Sequence, residues 1–275
     1  MKNAIIIPNY LKEKSVTFSK EADMLLKNAG YNPIILGENQ TFTDKADFAL
    51  VLGGDGTVLR ASKQLYSTEI PMLGINFGHL GYLTECNPET AIESINKLVT
   101  GEYTVESRLM VSCELIRGDK AIKSFIALNE AVLNRATLMK AFKMEIYING
   151  KHTNTALGDG IIVATPTGST SYNLSAGGPI LTPTANNMVI TQIAPITFPS
   201  TPLVIAGDDV VEIKATVESI TRKGKPTLEI DGSESVELMD GDVIRIKKAE
   251  HNAKIIKVSE RSFYQLLKEK LSKAN

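Results

Sequence analysis

Short apolar runs and helical repeats alternate through the first hundred residues. Residues 4–8 predict a strand, 18–29 a helix closed by Gly30, 32–36 a second strand entered through Pro33, and 47–52 a third strand. A helix is expected over 58–66, a strand over 71–75, and a helix over 88–99 with Gly101 just past its end. Apolar strands separated by helices imply a parallel sheet covered on both faces. From residue 102 the period changes. Met144, Ile146 and Ile148 alternate with Glu145, Tyr147 and Asn149; Val211, Ile213, Ala215 and Val217 alternate with Glu212, Lys214, Thr216 and Glu218; Ile244 and Ile246 alternate with Arg245 and Lys247. Period two is the pattern of half-buried antiparallel strands, and Asn149-Gly150 and Asp240-Gly241 supply turns between them. The tail returns to helical spacing, with Phe263, Leu266, Leu267 and Leu271 on one face that must find something to pack against. The expected organisation is an α/β domain over 1–101, a β-rich domain over 102–258 and a terminal helix over 259–275.

Composition changes this picture little. Of the 275 residues, 43% are hydrophobic and 22% charged, which is enough apolar material for packed cores. A net charge of -1 lacks the basic excess that phosphate neutralisation on nucleic acid needs, so no nucleic-acid partner is expected. No apolar run approaches a membrane span, and none near the N-terminus is long enough for a signal peptide; the expectation is no membrane partner and a cytoplasmic location. Cys86 and Cys113 form no CxxC pair, and with three histidines they do not suggest a zinc site, so no metal ligand is assigned.

The candidate chemistry lies in three segments. The first is Gly53-Gly54-Asp55-Gly56-Thr57, entered directly from an apolar strand. Glycines let backbone approach a phosphate, and the amides of a following helix favour an anion. Asp55 is out of place in such a cradle because it repels phosphate; it suits accepting the proton of an attacking hydroxyl or holding a phosphate-bridging metal ion. Thr57 is placed to cap the helix, and Arg60 follows one turn on. A plain strand–helix turn with a capping Asp is the simpler alternative. Neither GxxxxGK[ST] nor GxGxxG is present. The second segment is Asn129-Glu130, an amide and an acid within the apolar run 127–133. Neighbouring strand residues face opposite sides, so at most one is expected in a core, and the pair suits the two hydroxyls of a ribose. The third is Gly158-Asp159-Gly160 followed by residues 165–179, TPTGSTSYNLSAGGP, whose hydroxyls and amides can ring a polar ligand while Tyr172 stacks on a base. A flexible loop is the alternative there, and Pro, Tyr and paired Gly argue against it.

Together with residues 74–84, GINFGHLGYLT, these segments resemble the NAD kinase family in order and spacing over nearly the whole chain. GGDG is shared with lipid kinases and phosphofructokinases, whereas 165–179 is far more specific. The resemblance implies an N-terminal Rossmann-like α/β domain, a C-terminal β-sandwich domain, and a last helix packing back on the first domain. It implies phosphorylation of the adenosine-ribose 2′-hydroxyl of NAD by ATP or polyphosphate, assisted by a divalent metal such as magnesium, in a homodimer or homotetramer. Carried over by position, Asp55 is the general base and Gly56 lies beside the dinucleotide. Asn129 and Glu130 bind NAD through ribose hydroxyls, and Asp159 recognises the nicotinamide end. Thr170, Ser171, Tyr172, Asn173, Leu174 and Ser175 line the adenosine and nicotinamide pockets, and Arg60, Lys140 and Leu157 fall at dinucleotide contacts. The chain departs from the family pattern at Leu157, where Arg is frequent, at Ile196 and Thr201, and at Ser233. Two rival readings are a lipid kinase sharing the glycine loop and a non-catalytic nucleotide sensor. The first has no need of Asn129, Glu130 or 165–179, and the second no reason to keep Asp55.

Overall fold

The computed structural model describes residues 2–38, 40–78, 81–135, 141–196, 200–216 and 225–272. The chain runs β1 Lys2–Pro8, α1 Glu13–Asn28, β2 Tyr31–Ile35, β3 Phe48–Leu52, α2 Asp55–Gln64, β4 Met72–Ile75, α3 Pro88–Thr100 and β5 Thr104–Arg108. Antiparallel structure follows: β6 Val111–Arg117, β7 Lys120–Ala127, β8 Glu130–Asn134, β9 Phe142–Ile148, β10 Lys151–Gly158, β11 Gly160–Ala164, then the short α4 Tyr172–Ser175. It continues through β12 Asn187–Ile193, β13 Leu203–Ala206, β14 Val211–Thr216, β15 Thr227–Ile230, β16 Glu234–Glu237 and β17 Val243–Lys248, and ends on β18 Ala253–Lys257 and α5 Phe263–Ser272.

Two compact units result, 1–107 with 251–275, and 108–250. In the first, the sheet order is β2-β1-β3-β4-β18-β5, and β1–β2, β1–β3, β3–β4 and β4–β18 are parallel. β3 and β4 are buried at every residue, as a sheet covered on both faces demands. Phe18, Ala22 and Leu26 of α1 and Ala91, Ile95 and Leu98 of α3 pack on Ala4, Ile6, Leu50, Leu52 and Leu73. α3 starts where expected because Asn87 and Thr90 form a reciprocal cap and Pro88 opens the first turn; Gly101 ends it in the left-handed region. α1 starts at Glu13, five residues before the apolar repeat suggests. Its first inward position is Ser15, buried because its hydroxyl donates to the Leu52 carbonyl.

The second unit is a sandwich of two six-stranded sheets, β10-β9-β14-β17-β6-β7 and β13-β12-β11-β8-β15-β16. Its core joins Val111, Cys113, Met144, Ile146, Ile213 and Ile246 of one sheet to Leu133, Ile161, Val163, Met188, Ile190 and Leu228 of the other. β11 is buried throughout because its second face also has a cover: Ile162 and Ala164, with Val132 of β8, pack under Ala176 and Ile193. That is why the period-two pattern fades there.

The division differs from the one read off the pattern at both joins: 102–107 and 251–258, expected in the β-rich domain, belong to the first unit, and β5 joins the first sheet. β18 instead pairs with β4 in the first sheet, where Ile255 and Ile256 are both buried. A strand of five residues carries too little alternation to tell a half-buried antiparallel strand from a parallel one buried on both faces.

Candidate active site

In the first unit the crossovers from β1 and β3 leave in opposite directions, to β2 and to β4. The carboxyl ends of β1 and β3 therefore form a topological switch point, where open α/β sheets bind ligands. The glycine loop sits there. Helix α2 begins at Asp55 with Gly54 as its cap, three residues before the expected start, because Asp-Gly-Thr hides the first turn from a hydrophobic repeat. Thr57 is not the cap; it lies inside the helix, and its Oγ1 accepts a hydrogen bond from Asn9 Nδ2 (3.3 Å).

Asp55 stands at the positive end of the helix, a favourable place for a carboxylate. Its Oδ2 accepts from the Tyr82 amide (2.8 Å) and its Oδ1 from the Leu83 amide (3.0 Å). Gly81 makes this approach possible: a Cβ there would lie 1.9 Å from Asp55 Oδ1. The loop is fixed in turn by Thr84, whose Oγ1 accepts from the Gly81 amide (3.0 Å) and from Asn76 Nδ2 (3.4 Å). Burial and the charge of Asp55 both raise the Tyr82 phenol above its ordinary pKa. Arg60 points back along the strand ends, donating to the Pro8 carbonyl (3.0 Å) and pairing with Glu38 (3.3 Å). Gly56 is exposed, with open space where a Cβ would stand. At the amino ends of the same strands lies a cavity of ≈ 640 Å³ lined by Asn3, Asp47 and Ser67, but Asn3 and Asp47 bond to each other there (2.9 Å) and it is remote from the glycine loop.

In the second unit Asn129 lies in a bend just before β8, and Glu130 is the first residue of that strand. The pair occupies the kink at which the chain leaves β7 in one sheet and enters β8 in the other. Glu130 is 5% exposed and Asn129 half-buried, which fits the expectation that at most one enters a core. Glu130 Oε1 accepts from the Ser171 hydroxyl (3.2 Å), while its Oε2 is buried without a partner. Burial first, and the nearby charge of Asp231 second, push the Glu130 carboxyl up to about 8 against the opposing Ser171 hydrogen bond. The Asp231 carboxylate accepts the amides of Leu128 (3.1 Å), Asn129 (2.8 Å) and Glu130 (3.2 Å). Gly168 presses against the same kink, where a Cβ would fall 2.2 Å from the Asn129 carbonyl oxygen.

Segment 165–179 is no loose loop. A tight turn over Gly168–Thr170 leads into α4, and Asn173 is wholly buried. Asn173 Nδ2 donates to the Ser169 and Pro179 carbonyls (3.0 and 3.1 Å), and its Oδ1 accepts from Thr191 (2.7 Å). Its side chain thus holds the segment together. Tyr172, by contrast, is 39% exposed, Ser175 is exposed, and Thr170 and Leu174 are half-buried. Asp159 and Leu157 lie elsewhere. Asp159 precedes β11 and Thr165 follows it, so at about 3.3 Å per residue they stand roughly 20 Å apart. Asp159 pairs with Arg135 (2.6 Å), and the Leu157 carbonyl accepts the Ile196 amide (2.7 Å). The structure brings Asn129, Glu130 and Ser171 together at one end of β11 and leaves Asp159 and Leu157 at the other; Lys140 lies outside the described residues.

Residues 6–103 match the ATP-NAD kinase N-terminal domain and residues 128–258 the ATP-NAD kinase C-terminal domain. The chain is 40% identical over 270 residues to an NAD kinase of Carboxydothermus hydrogenoformans, covering 96% of this chain and 95% of that one.

The chain belongs to the NAD kinase family.

An NAD kinase of Caldanaerobacter subterraneus subsp. tengcongensis is 35% identical, with 99% of each chain covered. Among solved structures, the Archaeoglobus fulgidus NAD kinase in complex with ATP is 30% identical at a TM-score of 0.80, covering 99% of both chains. A yeast NADH kinase complexed with NADH shares the fold at a TM-score of 0.83, with 22% identity over 99% of this chain and 88% of that one. These family members give no support to a lipid kinase or a silent sensor. Among the described residues, no three His, Cys, Asp or Glu side chains are grouped to hold a metal ion, and no helix is long and apolar enough to cross a membrane. Sequence reasoning passed over Gly81, Tyr82, Leu83 and Asp231. The first three stood in the 74–84 motif without a role, and Asp231-Gly232 reads locally as a turn; only the hydrogen bonds reveal what they hold.

Proposed function

We propose that this phosphotransferase moves the γ-phosphoryl group of ATP onto the 2′-hydroxyl of the adenosine ribose of NAD, giving NADP, with Asp55 as general base. One observation carries the assignment of the base. At the switch point of the parallel sheet a carboxylate stands at a helix N-terminus with both oxygens aligned by backbone amides. The hydroxyl oxygen attacks phosphorus, its proton passes to Asp55, the bond to the bridging oxygen breaks, and ADP leaves. Positioning supplies most of the acceleration, because phosphoryl transfer asks little covalent chemistry of the protein.

Asn129 and Glu130 take ribose hydroxyls. The buried, unpartnered Oε2 of Glu130 supports this, since a ligand hydroxyl would satisfy it. Tyr172 offers an exposed ring for a base, with Thr170, Ser171, Leu174 and Ser175 beside it, and Gly56 and Arg60 are dinucleotide contacts on the family pattern. Asn173 acts by shaping that wall rather than through its engaged side chain. Asp159 serves the nicotinamide end, and Leu157 and Lys140 are dinucleotide contacts on the family pattern. A divalent ion such as magnesium would arrive on the donor phosphates and offset their charge. Polyphosphate is a second donor to test. A cytoplasmic homodimer or homotetramer completes the reading.

The test is a coupled assay for NADP with several phosphoryl donors, run on the wild type and on Asp55→Asn. The variant should lose at least about a hundredfold in kcat while its Kd for NAD stays within about twofold. Near-normal turnover in Asp55→Asn would remove Asp55 from the role of base.

A further inference from the structure

We propose that Asp231 is a positioning residue for the dinucleotide, its carboxylate fixing the Asn129-Glu130 kink in the geometry that presents both side chains to the ligand. The inference rests on the proposed role of Asn129 and Glu130 as ribose contacts. At the kink the chain changes sheets, and three successive amides, of Leu128, Asn129 and Glu130, turn toward one carboxylate. Buried amides need acceptors, and one carboxylate with two oxygens serves all three. The arrangement is reciprocal, since the Asp231 amide donates to the Glu130 carbonyl (3.1 Å). Asp231 holds this place at φ 48, a left-handed conformation that costs free energy outside glycine and persists only where the surroundings enforce it. On the other side of the kink, the Thr165 hydroxyl donates to the Leu128 carbonyl and the Thr165 amide to the Asn129 carbonyl (2.8 Å), so the segment is gripped from two elements.

Position and charge act together. Asp231 follows β15 and approaches Glu130 from one side, and Ser171 approaches from the other; the β11 residue paired with Glu130 is the uncharged Ala164. The Asp231 charge adds to burial in disfavouring ionised Glu130. Asp231→Asn keeps the shape but offers one acceptor oxygen and turns an NH2 toward backbone donors.

The experiment uses the full chain. In Asp231→Asn the KM for NAD should rise about tenfold, the scale of one charge-assisted hydrogen bond, while the KM for ATP changes less than about twofold. In ligand-free protein, the Glu130 carboxyl followed by 13C NMR should titrate at lower pH than in the wild type. Where Asp231→Asn does not fold, Asp231→Ser, which keeps one acceptor and removes the charge, is read in the same two ways. A folded variant with both the NAD KM and the Glu130 midpoint unchanged overturns the proposal. So does an equal rise in both KM values with the midpoint unmoved, which is what loss of structure alone would give. A wild-type protein that makes no NADP defeats the functional reading instead, and the Glu130 titration still decides the role of Asp231.

Discussion

Glu130 ties stability to the proposed ribose contact within one side chain. Its carboxyl is moved from an ordinary 4.5 to about 8 in the folded protein, mainly by burial. Between those two values the native state binds a proton that the unfolded state has released, so stability falls as pH rises across the window. A shift of this size corresponds to about 5 kcal/mol at most. Near neutrality the group is largely protonated, and a neutral acid can donate as well as accept, which suits a ribose hydroxyl. Replacing it by Gln removes the titration. Urea unfolding of the wild type and Glu130→Gln from pH 5 to 8.5 should show the variant gaining steadily on the wild type as pH rises. Parallel stability curves would mean that Glu130 titrates alike in the folded and unfolded chains. The sequence displayed the acid inside an apolar run, which marked it as unusual, but the Asp231 carboxylate that accepts its amide lies about a hundred residues away in the chain, and no local pattern reports that.

At the scale of elements, segment 165–179 shows how a motif can be legible while its division of labour is not. Its density of small polar residues pointed to a candidate ligand-binding stretch. Which of them face a ligand depends on the tight turn and the single turn of α4, and these place Asn173 inward and Tyr172 outward. Gly178 confirms the closeness of that packing, since a Cβ there would lie 2.1 Å from Asn173 Oδ1. Asn173→Ala leaves the Thr191 hydroxyl and the Ser169 and Pro179 carbonyls without their partner, a cost of about 2–4 kcal/mol. Thermal unfolding should register that loss, whereas Tyr172→Ala should leave the melting temperature nearly unchanged and weaken NAD binding. The opposite ranking would make Asn173 the contact and Tyr172 the scaffold. Similar limits apply to α1 and α2: Ser15 and the Asp-Gly-Thr opening lack the apolar signal that sets a predicted start, although hydrogen bonds and the helix dipole hold both first turns.

For the whole molecule, the change of period near residue 102 revealed two architectures, because parallel and antiparallel sheets bury their strands differently. What the pattern could not reveal is that the chain returns to its first sheet, since β18 enters between β4 and β5, strands formed some 150 to 180 residues earlier. Two acids hold that return: Glu69 accepts the Asn252 amide (3.0 Å) and pairs with Lys254 (3.6 Å), and Glu85 holds the segment beyond it. Glu85, whose side chain is 3% exposed, pairs with Lys257 and accepts the amides of Val258 (3.3 Å) and Ser259 (3.0 Å) and the Ser259 hydroxyl (2.6 Å). Glu85 follows the 81–83 loop whose amides hold Asp55, so the end of the chain and the proposed catalytic loop share an anchor. Beyond it, Lys270 of α5 lies over the Tyr82 ring at 5.8 Å. Glu85→Ala leaves Lys257 partly buried without its partner and orphans two amides, which should cost about 3–5 kcal/mol and lower the melting temperature of the first unit by about 10–20 °C. If the anchor also serves the loop, kcat should fall at temperatures well below the transition while the KM for NAD holds. Full activity in a clearly destabilised Glu85→Ala protein would confine the anchor to folding and leave the Asp55 loop to hold itself.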